Sequence, residues 1–232
     1  MKNKKNLGII LINAFFLITT IVFDVLYLQK GNPYVFKTIA SANFVLCALI
    51  NLFLVFKFKL VTNKKFVIFL FVGQFFAMLG DILLIDFFII GAILFAIGHV
   101  FYFISYCFLK PLKWLDLAFI LGAIAISLIV IFASKVNLGS DLPLILGYAI
   151  VISCMLGKSA TLFLDNIKIA SIVFLGSLMF YLSDMFLMFT IFGGMGRIGS
   201  ILCLGFYYPA EYILATSISA VSMLKLKEKN ND

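Results

Sequence analysis

The chain has 232 residues, of which 64% are hydrophobic and only 12% are charged. A soluble domain of this size has about a quarter of its residues charged, so this sequence has too little polar surface to wrap a water-soluble globule. The mean hydropathy of +1.19 predicts an all-α integral membrane protein solvated mostly by lipid. The net charge of +8 does not indicate a nucleic-acid partner, because nearly every lysine lies between apolar segments.

Eight apolar segments are long enough to cross the ~30 Å hydrocarbon core of a bilayer. The first of them is too long for the apolar region of a signal peptide and lacks a small-residue cleavage site, so it counts as a span. Only a turn around Asp86 separates the third span from the fourth, which predicts a tight antiparallel hairpin. Because every connection is short, we expect one transmembrane helix bundle over residues 1–232. The predicted spans are 7–28, 36–56, 66–85, 87–109, 116–134, 141–158, 168–192 and 198–223.

The basic residues predict the orientation of the bundle. Fourteen of the 18 fall in the two tails and the even-numbered loops, and four fall on the other side. Positive charge stays cytoplasmic, so both termini are predicted to be cytoplasmic in a multi-pass protein of a bacterial plasma membrane. The fourteen are Lys2, Lys4, Lys5, Lys57, Lys59, Lys64, Lys65, Lys110, Lys113, Lys158, Lys168, Lys225, Lys227 and Lys229; the four are Lys30, Lys37, Lys135 and Arg197.

Six ionisable residues interrupt the apolar spans. Such a residue is costly in the membrane, so each is a hypothesis for a functional site. At ~1.5 Å per residue, Asp81 is expected roughly 7 Å and Asp184 roughly 12 Å inside the outer boundary. All six fall in the outer half or the middle of their spans, which predicts a single polar pocket there. They are Asp24, Lys37, Asp81, His99, Asp184 and Glu211.

Helical spacing brings tyrosines to the same faces as these residues. Tyr102 lies three residues after His99, and Tyr181 lies three residues before Asp184, so each pair shares a helix face. Small residues come directly before three of the ionisable positions, which lets neighbouring helices approach closely there. These small residues are Gly80, Gly98 and Ser183.

Three of the polar residues have two interpretations that the sequence leaves open. Asp24 is either part of the pocket or a local partner of Tyr27. Lys37 is either an interfacial lysine or the counter-ion of the acidic cluster. His99 is either a structural hydrogen-bonding residue or a catalytic one.

Written out, the polar sites read LGDILL at 79–84, FAIGHVFYFISY at 95–106, FYLSDMFLM at 180–188 and YYPAEYILA at 207–215. In this order they resemble the lysoplasmalogenase (YhhN-like) family of eight-span membrane proteins. FKT at 36–38 and the pattern Leu142, Pro143, Tyr148, Met155 agree with that family, so the resemblance covers essentially the whole chain. Glu211 departs from it, since the family more often has Gln in this motif.

The resemblance implies a metal-independent hydrolase, without a cofactor, that cleaves the vinyl-ether bond of lysoplasmalogens. The expected partners are a lysophospholipid substrate and the surrounding membrane lipids. The candidate catalytic residues are Asp81, His99 and Asp184. The candidate substrate-binding residues are Asp24, Lys37, Tyr102, Tyr148, Tyr181, Tyr208 and Glu211.

Paired carboxyl groups suit this chemistry. Vinyl-ether hydrolysis begins with proton transfer to the alkene carbon and produces an oxocarbenium ion, so it needs a protonated acid and a stabilising anion. Burial and a neighbouring carboxylate favour the protonated form of one acid, and Asp81 and Asp184 are candidates for the two roles, as in paired-carboxylate glycosidases. Lys37 is the candidate contact for the lipid phosphate.

Two other functions compete with this one. A zinc-dependent intramembrane amide hydrolase needs about three histidine ligands, whereas the chain has one histidine and no clustered cysteines. A lipid or small-molecule transporter is the stronger alternative, because buried acids paired with a lysine also form proton relays.

Overall fold

A computed structural model describes residues 2–30, 33–134 and 136–229, and within these it contains eight long helices. This confirms the predicted all-helical fold and the eight spans. Lys135 lies outside the described residues, as do the side chains of Lys2, Lys4, Lys5, Lys30 and Lys229. The helices are α1 (Lys2–Lys30), α2 (Pro33–Lys57), α3 (Lys64–Leu83), α4 (Phe88–Leu109), α5 (Trp114–Ala133), α6 (Leu142–Thr161), α7 (Ile167–Phe192) and α8 (Gly196–Lys229).

The helices end close to the predicted boundaries, and a short 3₁₀ turn extends α6 on each side. A 3₁₀ turn, Gly139–Asp141, leads into α6, and a second one, Leu162–Leu164, follows it. The helix α8 is 34 residues long and continues through Pro209. Asparagine side chains cap two of the helices: Asn63 accepts from the amide of Phe66 and Asn166 from the amide of Ile169, which satisfies N–H groups that a helix start leaves without partners.

Successive helices pack in pairs, and α8 occupies the centre of the bundle. The pairs are α1 with α2, α3 with α4, α5 with α6 and α7 with α8; α8 also contacts α1, α2 and α3. The helix α6 contacts α4 and α7, which joins the two halves of the bundle. The faces that point away from these contacts are rich in exposed leucine, isoleucine and phenylalanine, as expected for surfaces in contact with lipid.

Glycines bring α3 and α4 into close contact, which confirms the predicted hairpin. A Cβ atom on Gly98 would lie 3.0 Å from the backbone oxygen of Gly73. One on Gly91 would lie 2.7 Å from the Cα atom of Leu84, and one on Gly80 would lie 3.0 Å from the oxygen of Gly91. Small residues therefore allow backbone-to-backbone packing along most of this pair.

One charged pair was not expected from the sequence. Lys158, which the charge pattern assigns to a loop, is fully buried, and its Nζ lies 3.0 Å from Asp116 Oδ2. Asp116 also accepts hydrogen bonds from the backbone N–H of Lys113, at 2.5 Å, and from the hydroxyl of Thr161. The prediction that Lys158 lies in a loop was therefore wrong: it belongs to the last turn of α6, where Asp116 of α5 compensates its charge.

Candidate functional site

A groove lies in the half of the bundle that contains the α3–α4 turn. It is bounded by α4, α5, α6 and α7, and it holds about 740 Å³ of empty volume, including its open mouth. Its lining is almost entirely apolar, with Phe88, Ile131, Ile145 and Met188 among the walls. The four polar residues that line it are Ser127, Tyr148, Tyr181 and Asp184. Such a groove is suited to a hydrocarbon chain with a few polar groups beside it.

Asp184 is the acidic residue of this groove, and two residues hold it in place. The hydroxyl of Tyr148 donates to Asp184 Oδ2 at 2.5 Å. His99 Nε2 lies 2.8 Å from that hydroxyl and 3.3 Å from the same carboxyl oxygen. Because the tyrosine donates its proton to the carboxyl group, its oxygen is an acceptor for His99, which assigns the imidazole hydrogen to Nε2. Helices α4, α6 and α7 each contribute one member of this triad.

Asp81 belongs to a separate group, between α2, α3 and α8. Lys37 Nζ lies 3.0 Å from Asp81 Oδ1, and both side chains are less than a tenth exposed. Asp81 Oδ2 accepts from Ser41 at 2.5 Å and from Tyr208 at 3.1 Å. Lys37 is thus the counter-ion of Asp81.

Glu211 forms a third group at the centre of the bundle. Its Oε2 accepts from the hydroxyl of Tyr102 at 2.8 Å and from Gln74 Nε2 at 3.1 Å. The same Gln74 nitrogen donates to the backbone oxygen of Glu211 at 2.8 Å. Its Oε1 atom is buried and has no hydrogen-bond partner among the described residues. Glu211 therefore connects α8 to α3 and α4 without a contact to a basic side chain in the described part of the chain.

Aromatic rings fill the space between these polar groups. Phe180 packs edge-on against His99, with 4.5 Å between ring centroids, and against Tyr207, at 5.3 Å. Phe95 contacts Phe180 at 6.0 Å and Tyr207 at 5.7 Å. These rings pack between α4, α7 and α8.

The candidate residues thus form three hydrogen-bonded groups instead of the single pocket that the sequence predicts. Cys203 Sγ lies 3.5 Å from Ser183 Oγ.

Two of the candidate residues lie outside these three groups. Tyr181 lines the groove but bonds Ser127 on α5, at 2.6 Å, instead of Asp184. Asp24 is partly buried on α1, and its buried Oδ1 has no partner among the described residues.

Three serines that contact the candidate residues or each other were missed by the sequence prediction. Ser41 lies four residues after Lys37, so helical spacing places it on the same face and could have indicated it. The Ser127 and Ser153 pair, 3.0 Å apart, had no such signal, because isolated serines are common in membrane helices.

Comparison with known proteins identifies the family. The YhhN family model matches residues 34–218, which is most of the chain and includes all the motifs from the second span to the eighth. The protein belongs to the YhhN family. No curated protein and no solved structure matches the chain.

Proposed function

We propose that this protein hydrolyses the vinyl-ether bond of lysoplasmalogens and releases a fatty aldehyde and a glycerophospho-alcohol. The observation that carries the proposal is the position of Asp184. This acid belongs to the FYLSDMFLM motif at 180–188, and its side chain lines an apolar groove. A hydrolase of such lipids needs a proton donor beside a surface that binds a hydrocarbon chain, and this groove offers both. Membership of the YhhN family supports the same class of reaction.

Asp184 is the proposed proton donor. Both hydrogen bonds to its carboxyl group end on Oδ2, which leaves Oδ1 to carry the proton. The proton is transferred to the alkene carbon that does not bear the ether oxygen. The π electrons form the new C–H bond, and the product is an oxocarbenium ion. The carboxylate then takes a proton from water as the water oxygen attacks this ion. The hemiacetal collapses to aldehyde and alcohol, with its hydroxyl proton passing to the leaving oxygen.

The other candidate residues have supporting roles in this proposal. Tyr148 and His99 orient the carboxyl group of Asp184 through their contacts with Oδ2. Asp81 is a less suitable proton donor, because Lys37 stabilises its charged form at 3.0 Å. Asp81 does not line the groove and is paired with Lys37, so the anion beside the oxocarbenium ion is the Asp184 carboxylate that proton transfer leaves. Lys37, engaged with Asp81, is no longer the proposed phosphate contact.

An aldehyde-release assay tests the proposal. Purified protein in detergent, given an alkenyl lysophospholipid, should release a long-chain aldehyde, and a chelator should not change the rate. The matched control is the saturated alkyl lysophospholipid, which binds the same apolar surface but has no alkene carbon to protonate. If no aldehyde is released from a substrate with any common headgroup, the proposed hydrolase activity is contradicted. A transporter with a proton relay of buried acids would then be the better explanation of the polar residues.

A further inference from the structure

Two members of a cluster of three hydroxyl groups line the groove with Asp184, and we propose that one of them, Tyr181, positions the water that attacks the oxocarbenium ion. This inference rests on the proposed hydrolase function and assigns a further residue to that reaction. Tyr181 and Ser127 line the groove together with Asp184. The third hydroxyl belongs to Ser153, which is fully buried.

The contacts of Ser127 determine the direction of these hydrogen bonds. Ser127 Oγ donates to the backbone oxygen of Ala123 at 3.0 Å. Tyr181 Oη and Ser153 Oγ lie 2.6 Å and 3.0 Å from the same serine oxygen. A serine hydroxyl has one proton, and a carbonyl oxygen only accepts, so all three contacts are hydrogen bonds only if Tyr181 and Ser153 donate to Ser127. The proton of Tyr181 is thus committed, and its oxygen keeps only the capacity to accept.

The carboxylate of Asp184 is the second acceptor beside such a water. Tyr181 lies three residues before Asp184, and residues at this spacing are neighbours on one helix face, ~5–6 Å apart at Cβ. Once Asp184 has given its proton to the alkene carbon, its carboxylate only accepts hydrogen bonds. Water has two O–H donors, so one molecule can donate to the carboxylate and to the tyrosine oxygen at the same time. A lone pair of the water oxygen is then left for the reaction.

The attack of this water is balanced in atoms and electrons. The lone pair of the water oxygen forms the new C–O bond, and the π electrons of the oxocarbenium ion return to the ether oxygen. One proton of the water passes to the carboxylate of Asp184, which restores the acid. The other proton stays on the hemiacetal hydroxyl, where Tyr181 is its acceptor.

Tyr148 is the other tyrosine of the groove, and it is already occupied. Its hydroxyl donates to Asp184 Oδ2 at 2.5 Å, and its oxygen lies 2.8 Å from His99 Nε2, for which it is the acceptor. Tyr181 is therefore the tyrosine whose oxygen is left to a ligand of the groove.

Competition between water and methanol tests the assignment. Methanol also captures oxocarbenium ions and gives a mixed acetal instead of the aldehyde, but its single O–H can donate to only one of the two acceptors. The parent protein should therefore favour water. Tyr181→Phe removes one acceptor, so the ratio of mixed acetal to aldehyde at a fixed methanol concentration should rise by roughly three- to tenfold, the equivalent of one hydrogen bond. Mass spectrometry measures both products.

Tyr106→Phe is the matched control. The hydroxyl of Tyr106 is also buried and also bonded to a serine, Ser177, at 2.9 Å, but this residue does not line the groove. Its variant should keep the product ratio of the parent protein. Ser127→Ala is a second test, because Tyr181 then loses the acceptor that holds its proton and can donate into the groove instead. The ratio should rise in this variant as well.

An unchanged product ratio in Tyr181→Phe would overturn the assignment, as would an equal rise in Tyr106→Phe. If Tyr181→Phe releases neither product, Ser127→Ala decides in the same way. A purely structural role of Tyr181 would lower Tm and leave the ratio unchanged. These outcomes are distinct from failure of the proposed function, in which the parent protein releases no aldehyde and the role of Tyr181 fails with it.

Discussion

The carboxyl groups of Asp184 and Asp81 have different surroundings, and these surroundings determine the role that each acid can have. Asp184 faces the groove and bonds to neutral or weakly basic groups, whereas Asp81 is buried in an ion pair with Lys37. Removing one member of a buried ion pair leaves the other charge without compensation, which is strongly destabilising. The two acids should therefore respond differently to the same substitution.

Asp184→Asn should lower turnover by at least ~10²-fold, the usual cost of removing a positioned acid, while thermal stability stays near that of the parent protein. Asp81→Asn should instead lower the free energy of unfolding by roughly 3 kcal/mol, because Lys37 loses its counter-ion. Aldehyde release and thermal unfolding, measured on the same preparations, separate the two effects.

The double variant Lys37→Met, Asp81→Asn is the control for the ion pair. It removes both charges, so its thermal stability should exceed that of Asp81→Asn alone. Full activity of Asp184→Asn would contradict its role as proton donor and would move the chemistry to Glu211 and His99.

Packing between helices depends on a few glycines, because no hydrophobic driving force joins apolar helices that are already in lipid. The α3–α4 pair has a very close backbone approach near Gly91, and it carries both Asp81 and His99 into the bundle. A change in this contact would alter the distance between the two polar groups that these residues anchor.

Gly91→Ala should destabilise the protein by roughly 1–3 kcal/mol, the usual cost of overpacking, because the new Cβ would lie 2.7 Å from the Cα atom of Leu84. Gly122→Ala on α5 is the matched control: its new methyl group would meet no neighbouring helix within 4 Å in the described part of the chain, and alanine favours a helix over glycine. Equal thermal stability of the two variants would mean that α3 and α4 do not pack this closely.

The described residues include eight candidate membrane-spanning helices, so the start of α1 and the end of α8 lie at the same end of the bundle. The distribution of lysine predicts that this end is cytoplasmic. The α3–α4 turn, where Asp86 accepts from the hydroxyl of Tyr34 at 2.8 Å, is then outside.

Cysteine accessibility in intact cells tests this orientation. In a background without the native cysteines, Asp86→Cys should react with a membrane-impermeant reagent, and Lys227→Cys should react only after the membrane is permeabilised. Reaction of both positions under the same conditions would be incompatible with eight crossings.

The sequence by itself determined the fold class, the number of spans and the family, because these depend on the length and order of apolar segments and on motifs that the chain carries locally. It also predicted Asp81, His99, Asp184 and Glu211 as candidate site residues, since an ionisable group within an apolar span is conspicuous. Only the tertiary structure decided their partners. Lys37 and Asp81 are 44 residues apart along the chain (81 minus 37), and a pairing between separate helices follows from how the helices rotate and pack. Spacing along one helix fixes a face, but which neighbour that face meets is a property of the whole bundle.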